Sequence, residues 1–315
     1  MNARAAWRLA IVGASLGLLA FLLSLKLGAA GNSDPLLVVQ VRLPRVLLAA
    51  AVGAGLAVAG AALQALFANP LCEPYTLGIS SGSALGAVLG GSLGIAADYG
   101  GVGLTAFAGA LVFAAVLYLL SRRGGLPTAS LLLAGVMLGF LGSSLVALYM
   151  ALADSAGVQG ALFWLLGDLS RARLRGAVLT LGAVAVLINS LWARSRQLDA
   201  LLLGEEDAQA LGVDVPRARR SVLVYTSLLV GFCVAAGGMI GFVGLVVPHF
   251  VRKFAGSLHR GLLPLAALWG AAVLMAADLG ARLVANPYEL PVGVVTALFG
   301  APLFLWVLAR GGQRS

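Results

Sequence analysis

Apolar residues run in blocks of about twenty along the chain, with most polar residues confined to the gaps between them. Blocks of this length match the roughly 20 residues an α-helix needs to cross a bilayer. They fall at residues 7–25, 46–67, 77–95, 101–120, 131–152 and 176–192, then at 262–279 and 292–308. Between them lies an uncharged stretch over 222–251, which as one helix would be about 45 Å long, too long for a single straight crossing. Gly237, Gly238, Gly241, Gly244 and Pro248 interrupt it. The pattern therefore predicts two helices there, 222–240 and 241–255, and ten crossings in all within one transmembrane domain over 1–315. A β-barrel would show alternating segments of about ten residues, so the predicted class is all-α.

The block at 7–25 has a competing reading as a signal peptide. Basic residues precede it, and Gly28-Ala29-Ala30 resembles a cleavage site. Its length of 19 residues favours a retained first helix. Gly55-Leu-Ala-Val-Ala-Gly60 is echoed by Gly231-Phe-Cys-Val-Ala-Ala-Gly237, and the two segments run in opposite senses across the predicted membrane. That echo suggests an inverted internal repeat.

Composition sharpens the class. The chain is 61% hydrophobic and 10% charged, with 42 glycines, and its mean hydropathy is +1.00. Small residues let helix backbones approach closely in lipid. The net charge of +9 comes from basic residues at the ends of apolar runs, without the continuous stripe that nucleic acid requires. With both termini cytoplasmic, fourteen basic residues fall inside and seven outside, in keeping with the positive-inside rule. The outside set is Lys26, Arg42, Arg45, Arg171, Arg173, Arg175 and Arg282.

Candidate chemistry is sparse. Cys72, Cys233, His249 and His259 are too scattered for a metal site, and Lys26 and Lys253 do not belong to a Walker A loop. The acidic residues avoid span centres, where ion-coupled carriers place theirs. Asp278 and Arg282, four apart, fit a local salt bridge on one helix face. No catalytic residue and no cofactor is called for. Gly135, Gly139, Gly142 and Ser143 form a small-residue face suited to helix packing or, alternatively, to lining a pathway. Five of the 12 acidic residues gather in the loop 198–216, where Gly204 and Gly212 punctuate two short helical pieces. Interfacial helices favour Lys and Arg, so an acidic loop with apolar positions suits a protein partner better than a membrane surface.

Three stretches have an order that composition does not explain: RLPR (42–45) followed by QALFANPLCEPYTLGISSG (64–82), then LDALLLGEEDAQALGVDVPRARR (198–220), then GFVGLVVPHFVR (241–252) with ELPVGVVTALFGAPLFLWVL (289–308). Together they resemble the FecCD/BtuC-like permease family, the membrane subunits of type II ABC importers. The resemblance implies an inner-membrane homodimer, two ATPase subunits beneath it and a periplasmic binding protein above. The cargo it implies is a large metal chelate, iron–siderophore first, with haem and cobalamin behind. It assigns ATPase coupling to Leu203, Gly204, Glu205, Glu206, Ala208, Leu211 and Gly212. It places binding-protein docking at Arg42, Arg45 and Arg282 on an exposed outer rim. It places a cytosolic gate at Asn69, Leu71 and Thr128, with Ala129 where a family example has serine. An ion-coupled secondary transporter is the rival reading.

Overall fold

The structure is a computed structural model that describes residues 3–27, 35–93, 99–122, 127–285 and 288–311. Gly28-Ala29-Ala30, the end of the expected span at 94–95, Arg123 and Arg314 lie outside the described residues. Among the described residues thirteen α-helices follow in order: α1 (Ala3–Lys26), α2 (Pro35–Leu66), α3 (Ile79–Ser92), α4 (Tyr99–Arg122), α5 (Thr128–Leu152), α6 (Ser155–Leu165) and α7 (Leu174–Trp192). Then come α8 (Ser195–Leu201), α9 (Glu205–Ala210), α10 (Val215–Gly237), α11 (Val243–Ala255), α12 (His259–Leu283) and α13 (Val292–Gly311). Among the described residues every regular element is helical. Seven helices, α1, α2, α4, α5, α7, α10 and α12, are long and apolar enough to cross a membrane. Among the shorter helices α13 is apolar over Val292–Trp306, and α3 and α11 lie where the remaining runs were expected.

α2 lies at the centre. From Leu43 to Leu66 only Leu43, Leu47, Ala50 and Ala54 escape full burial. Its glycines and alanines permit this, because neighbouring backbones come close enough to exclude any side chain. A methyl at Gly53 would sit 2.2 Å from the carbonyl oxygen of Gly270 on α12, and one at Gly60 would sit 1.9 Å from that of Gly244 on α11. Gly55 faces α10, where an added methyl would meet Cys233 Sγ at 2.4 Å. The two echoing glycine-rich segments therefore pack against each other.

Several boundaries differ from the sequence expectation. α2 starts at Pro35 rather than near residue 46, and a π-helical turn over Val38–Arg42 precedes its regular part. Charge patterning stopped the expected span at Arg45, yet helical backbone continues through arginines whose partners are internal. The expected third span divides into a 3-10 turn, Pro74–Leu77, and α3, with Gly78 left-handed between them (φ +69°). α6 fills a stretch expected to be loop. The long uncharged run breaks over 238–242, where Gly238 and Phe242 both have positive φ (+71° and +68°).

The approach distances at α2 give a direct test. Gly53→Ala or Gly60→Ala should each cost about 1–3 kcal/mol through overpacking, read as a clear fall in the detergent-solubilised Tm. Gly182→Ala on α7, where an added methyl meets no atom within 4 Å, should leave Tm unchanged or raise it slightly.

Candidate functional site

The features expected on the cytosolic side gather around the C-terminal end of α2. Past Leu66 the chain turns through Ala68 (φ +46°). Asn69 Oδ1 accepts from the Leu71 N–H at 2.9 Å, an Asx turn that points Leu71 outward. Beneath this turn Gln64, buried within α2, donates from Nε2 to the carbonyls of Cys72 (3.2 Å) and Gly244 (3.3 Å). Its Oε1 accepts from Arg252 Nη1 on α11. Glu73 accepts from the backbone of Phe242, and burial pushes its carboxyl above the usual range. The Asn-Pro loop is thus tied to the break between α10 and α11. Sequence reasoning passed over Gln64 and Glu73. The available signal was one amide inside an otherwise apolar run, since a polar group at membrane depth needs internal partners.

The acidic loop folds as two short helices, α8 and α9, with Gly204 (φ +108°) and Gly212 (φ +79°) at the turns. Leu203, Glu206 and Leu211 are exposed, as is Gly212, whereas Ala208 is buried. Glu205 and Gly204 are half-buried. Asp199 pins α8 to the start of α12: its Oδ1 accepts from the His259 N–H at 2.8 Å and lies 2.6 Å from His259 Nδ1. Glu205 turns inward, where its Oε1 accepts from Thr128 Oγ1 on α5 and from Arg219 Nη2 on α10. A residue expected to couple and a residue expected to gate, 77 residues apart in sequence, therefore share one hydrogen bond. The Glu205 side chain is half-exposed, and its carboxylate is already paired within the chain.

At the other end of α2 the expectation of exposed arginines is corrected. Arg42, Arg45 and Arg282 are 5%, 5% and 3% exposed. Arg45 Nε pairs with Asp278 Oδ1 at 2.8 Å, and its Nη1 pairs with Glu289. Arg282 Nε lies 3.2 Å from Asp278 Oδ2. Arg42 Nη1 donates to the carbonyls of Leu25 (3.0 Å) and Lys26 (2.9 Å), and Arg282 Nη1 donates to those of Ser24 (3.3 Å) and Leu27 (3.4 Å). The carbonyls at the end of α1 have no intrahelical donor, and two guanidinium groups satisfy them. A buried guanidinium has to be paired, which is why these side chains turn inward.

The glycines of the small-residue face of α5 are used for packing, whereas Ser143 is exposed. A methyl at Gly135 would lie 3.0 Å from Leu77 Cα, and one at Gly142 would lie 3.0 Å from Ser81. His249 packs edge-on against Phe304, with ring centroids 6.2 Å apart. Both cysteines are free and buried.

A buried small-residue helix at the centre, apolar helices around it and polar clusters at its two ends define a polytopic helical membrane permease. The sequence matches the FecCD transport family over residues 7–310, and the chain belongs to that family. It is 45% identical over 276 residues to the vitamin B12 import system permease protein BtuC of Vibrio cholerae, covering 87% of this chain and 83% of that one. It is 44% identical over 269 residues to the cobalamin import system permease protein BtuC of Halobacterium salinarum, covering 85% and 72%. Its fold matches a metal-chelate type ABC transporter in an inward-facing conformation with a TM-score of 0.88 and 32% identity, covering 96% of this chain and 99% of that one. PsaBC from Streptococcus pneumoniae shares the fold at a TM-score of 0.57 and 20% identity, covering 84% and 89%.

Two predictions follow from the polar clusters. Asp278→Asn should lower stability by about 3–5 kcal/mol, because it leaves Arg45 and Arg282 buried without their shared carboxylate. A fall in Tm far larger than that of the half-exposed Arg171→Ala checks this. Cys72 is 2% exposed and burial pushes its thiol up to about 11, so at pH 7.5 it carries roughly two orders of magnitude less thiolate than an ordinary cysteine. Cys72 should barely react with an impermeant maleimide. Leu71→Cys in a Cys72→Ser background, at a position 52% exposed, should react readily, and only from the cytosolic face.

Proposed function

We propose that the chain is the channel subunit of an ATP-driven importer in the inner membrane, both termini cytoplasmic, carrying a large metal chelate across as a homodimer. A single observation carries this reading. The block α8–α9 seats Leu198, Leu201 and Ala208 in the core, is anchored by Asp199 and Glu205, and presents Leu203, Glu206 and Leu211 outward. Apolar side chains ringed by acidic ones suit a groove on a soluble partner, since exposed leucine in such a setting gains from burial against protein. That partner is one of two ATPase subunits, with Gly204 and Gly212 setting the turns between the helices. A periplasmic binding protein delivers cargo at the opposite face, and Arg42, Arg45 and Arg282 support its docking surface from beneath by holding the outer ends of α1, α2 and α12 in register. Asn69, Leu71 and Thr128 narrow the cytosolic end of the pathway.

Cobalamin is the cargo best supported, on the strength of the B12 and cobalamin permeases among the relatives. Iron–siderophore, the expectation from sequence, and haem are the alternatives.

Proteoliposomes holding the full complex and its binding protein test both levels. ATP-dependent accumulation of radiolabelled cyanocobalamin, with none of a ferric siderophore, is the expected result. Siderophore uptake would change the cargo, and uptake driven by an ion gradient without ATP would remove the importer reading. Leu203→Asp with Leu211→Asp should release the ATPase and reduce uptake at least about tenfold, the effect of losing roughly 1.4 kcal/mol or more at an interface.

A further inference from the structure

The coupling block meets the membrane helices through two carboxylates with different consequences. Asp199 joins α8 to the first residue of α12, the helix locked against α2 through Gly270 and Gly53. That attachment is a fixed one. Glu205 joins α9 to the first turn of α5 and to α10. α5 is less enclosed, since only Leu131, Gly135, Gly142 and Val146 along it are buried. One half of the block is therefore attached to the closely packed centre, and the other half to the end of a helix that buries few of its own residues.

We propose that Glu205 is a positioning residue that carries displacement of α9 into the first turn of α5, so that the cytosolic end of the pathway responds to the state of the ATPase. The proposal rests on the reading that the α8–α9 block docks an ATPase. α9 has only six residues, so its two faces cannot move independently. Partner contact at Leu211 and Glu206 is transmitted to Glu205 within the same turn and a half. The carboxylate then acts on two groups at once. Arg219 is 9% exposed, and its charge holds the carboxylate in place through an ion pair stronger than a neutral hydrogen bond. Thr128 Oγ1 donates to the same oxygen, so α5 follows the carboxylate. Coupling carried by packed side chains and hydrogen bonds between elements with discrete arrangements is the physical requirement for such transmission.

The test uses the full complex in nanodiscs with a reporter next to the contact, Ala129→Cys in a Cys72→Ser background, where Cys233 is buried. The measured quantity is the maleimide labelling rate at position 129 with and without ATP. Without further change, ATP should alter that rate. Thr128→Val keeps the side-chain shape and removes the donor, and Glu205→Gln removes the charge. Each should shrink the ATP-dependent change by about threefold or more, within the range of coupling between residues of one network. The double variant should be no worse than either single one, and Thr128→Ser should restore the response. A full ATP response in Thr128→Val, or additive effects in the double variant, would overturn the proposal. Co-purification separates it from the reading on which it rests. If Leu211→Asp leaves the ATPase bound, the docking reading fails. If Leu211→Asp releases it while Thr128→Val keeps the response, only the role of Glu205 fails.

Discussion

Two helices in lipid gain little by covering leucine with leucine, because the acyl chains they displace are as apolar as the side chains. What holds α2 in the middle of this bundle is close approach of backbone to backbone, at Gly53 with Gly270 and at Gly60 with Gly244. Both polar clusters hang from that helix. Its outer end carries Arg42 and Arg45, which organise the ends of α1 and α12. Its inner end carries Gln64, which ties the Asn-Pro loop to α11. Were α2 pushed outward by even one methyl group at these contacts, both polar clusters would lose their geometry together.

The polar clusters show how a membrane protein satisfies charge without water. Asp278 is shared by Arg45 and Arg282, and the unsatisfied carbonyls of α1 become acceptors for Arg42 and Arg282. Neither cluster resembles an ion-coupling site at the bilayer midplane, since both lie at helix ends. They fit structural joints at the two ends of the central helix of a permease.

Much of the fold was legible in the sequence, because block length and glycine content report directly on lipid as the solvent. The break over 238–242 was readable from Gly237, Gly238 and Gly241, since a 30-residue uncharged run exceeds the bilayer. The family was readable from the order of its motifs. Partner choice was not readable. Arg45 and Asp278 lie 233 residues apart, and nothing local distinguishes an arginine that faces solvent from one that finds a buried carboxylate. Glu205 posed the same problem: acidity suggested an outward role, while Thr128 and Arg219 draw the side chain inward. α6 was missed because apolar content alone does not separate a short packed helix from a loop at the membrane edge.

α2 forms a rigid centre, and the α8–α9 block is attached near its C-terminal end. Hydrogen exchange of the nanodisc-embedded chain, with and without its ATPase subunit, measures this directly, because local opening free energies differ between a locked core and a mobile attachment. The account predicts that backbone amides over 46–63 exchange slowest in the molecule and do not change when the ATPase is added. Amides over 199–214 should slow on that addition. Exchange over 46–63 as fast as in α1 or α5, or a change there on ATPase binding, would contradict it.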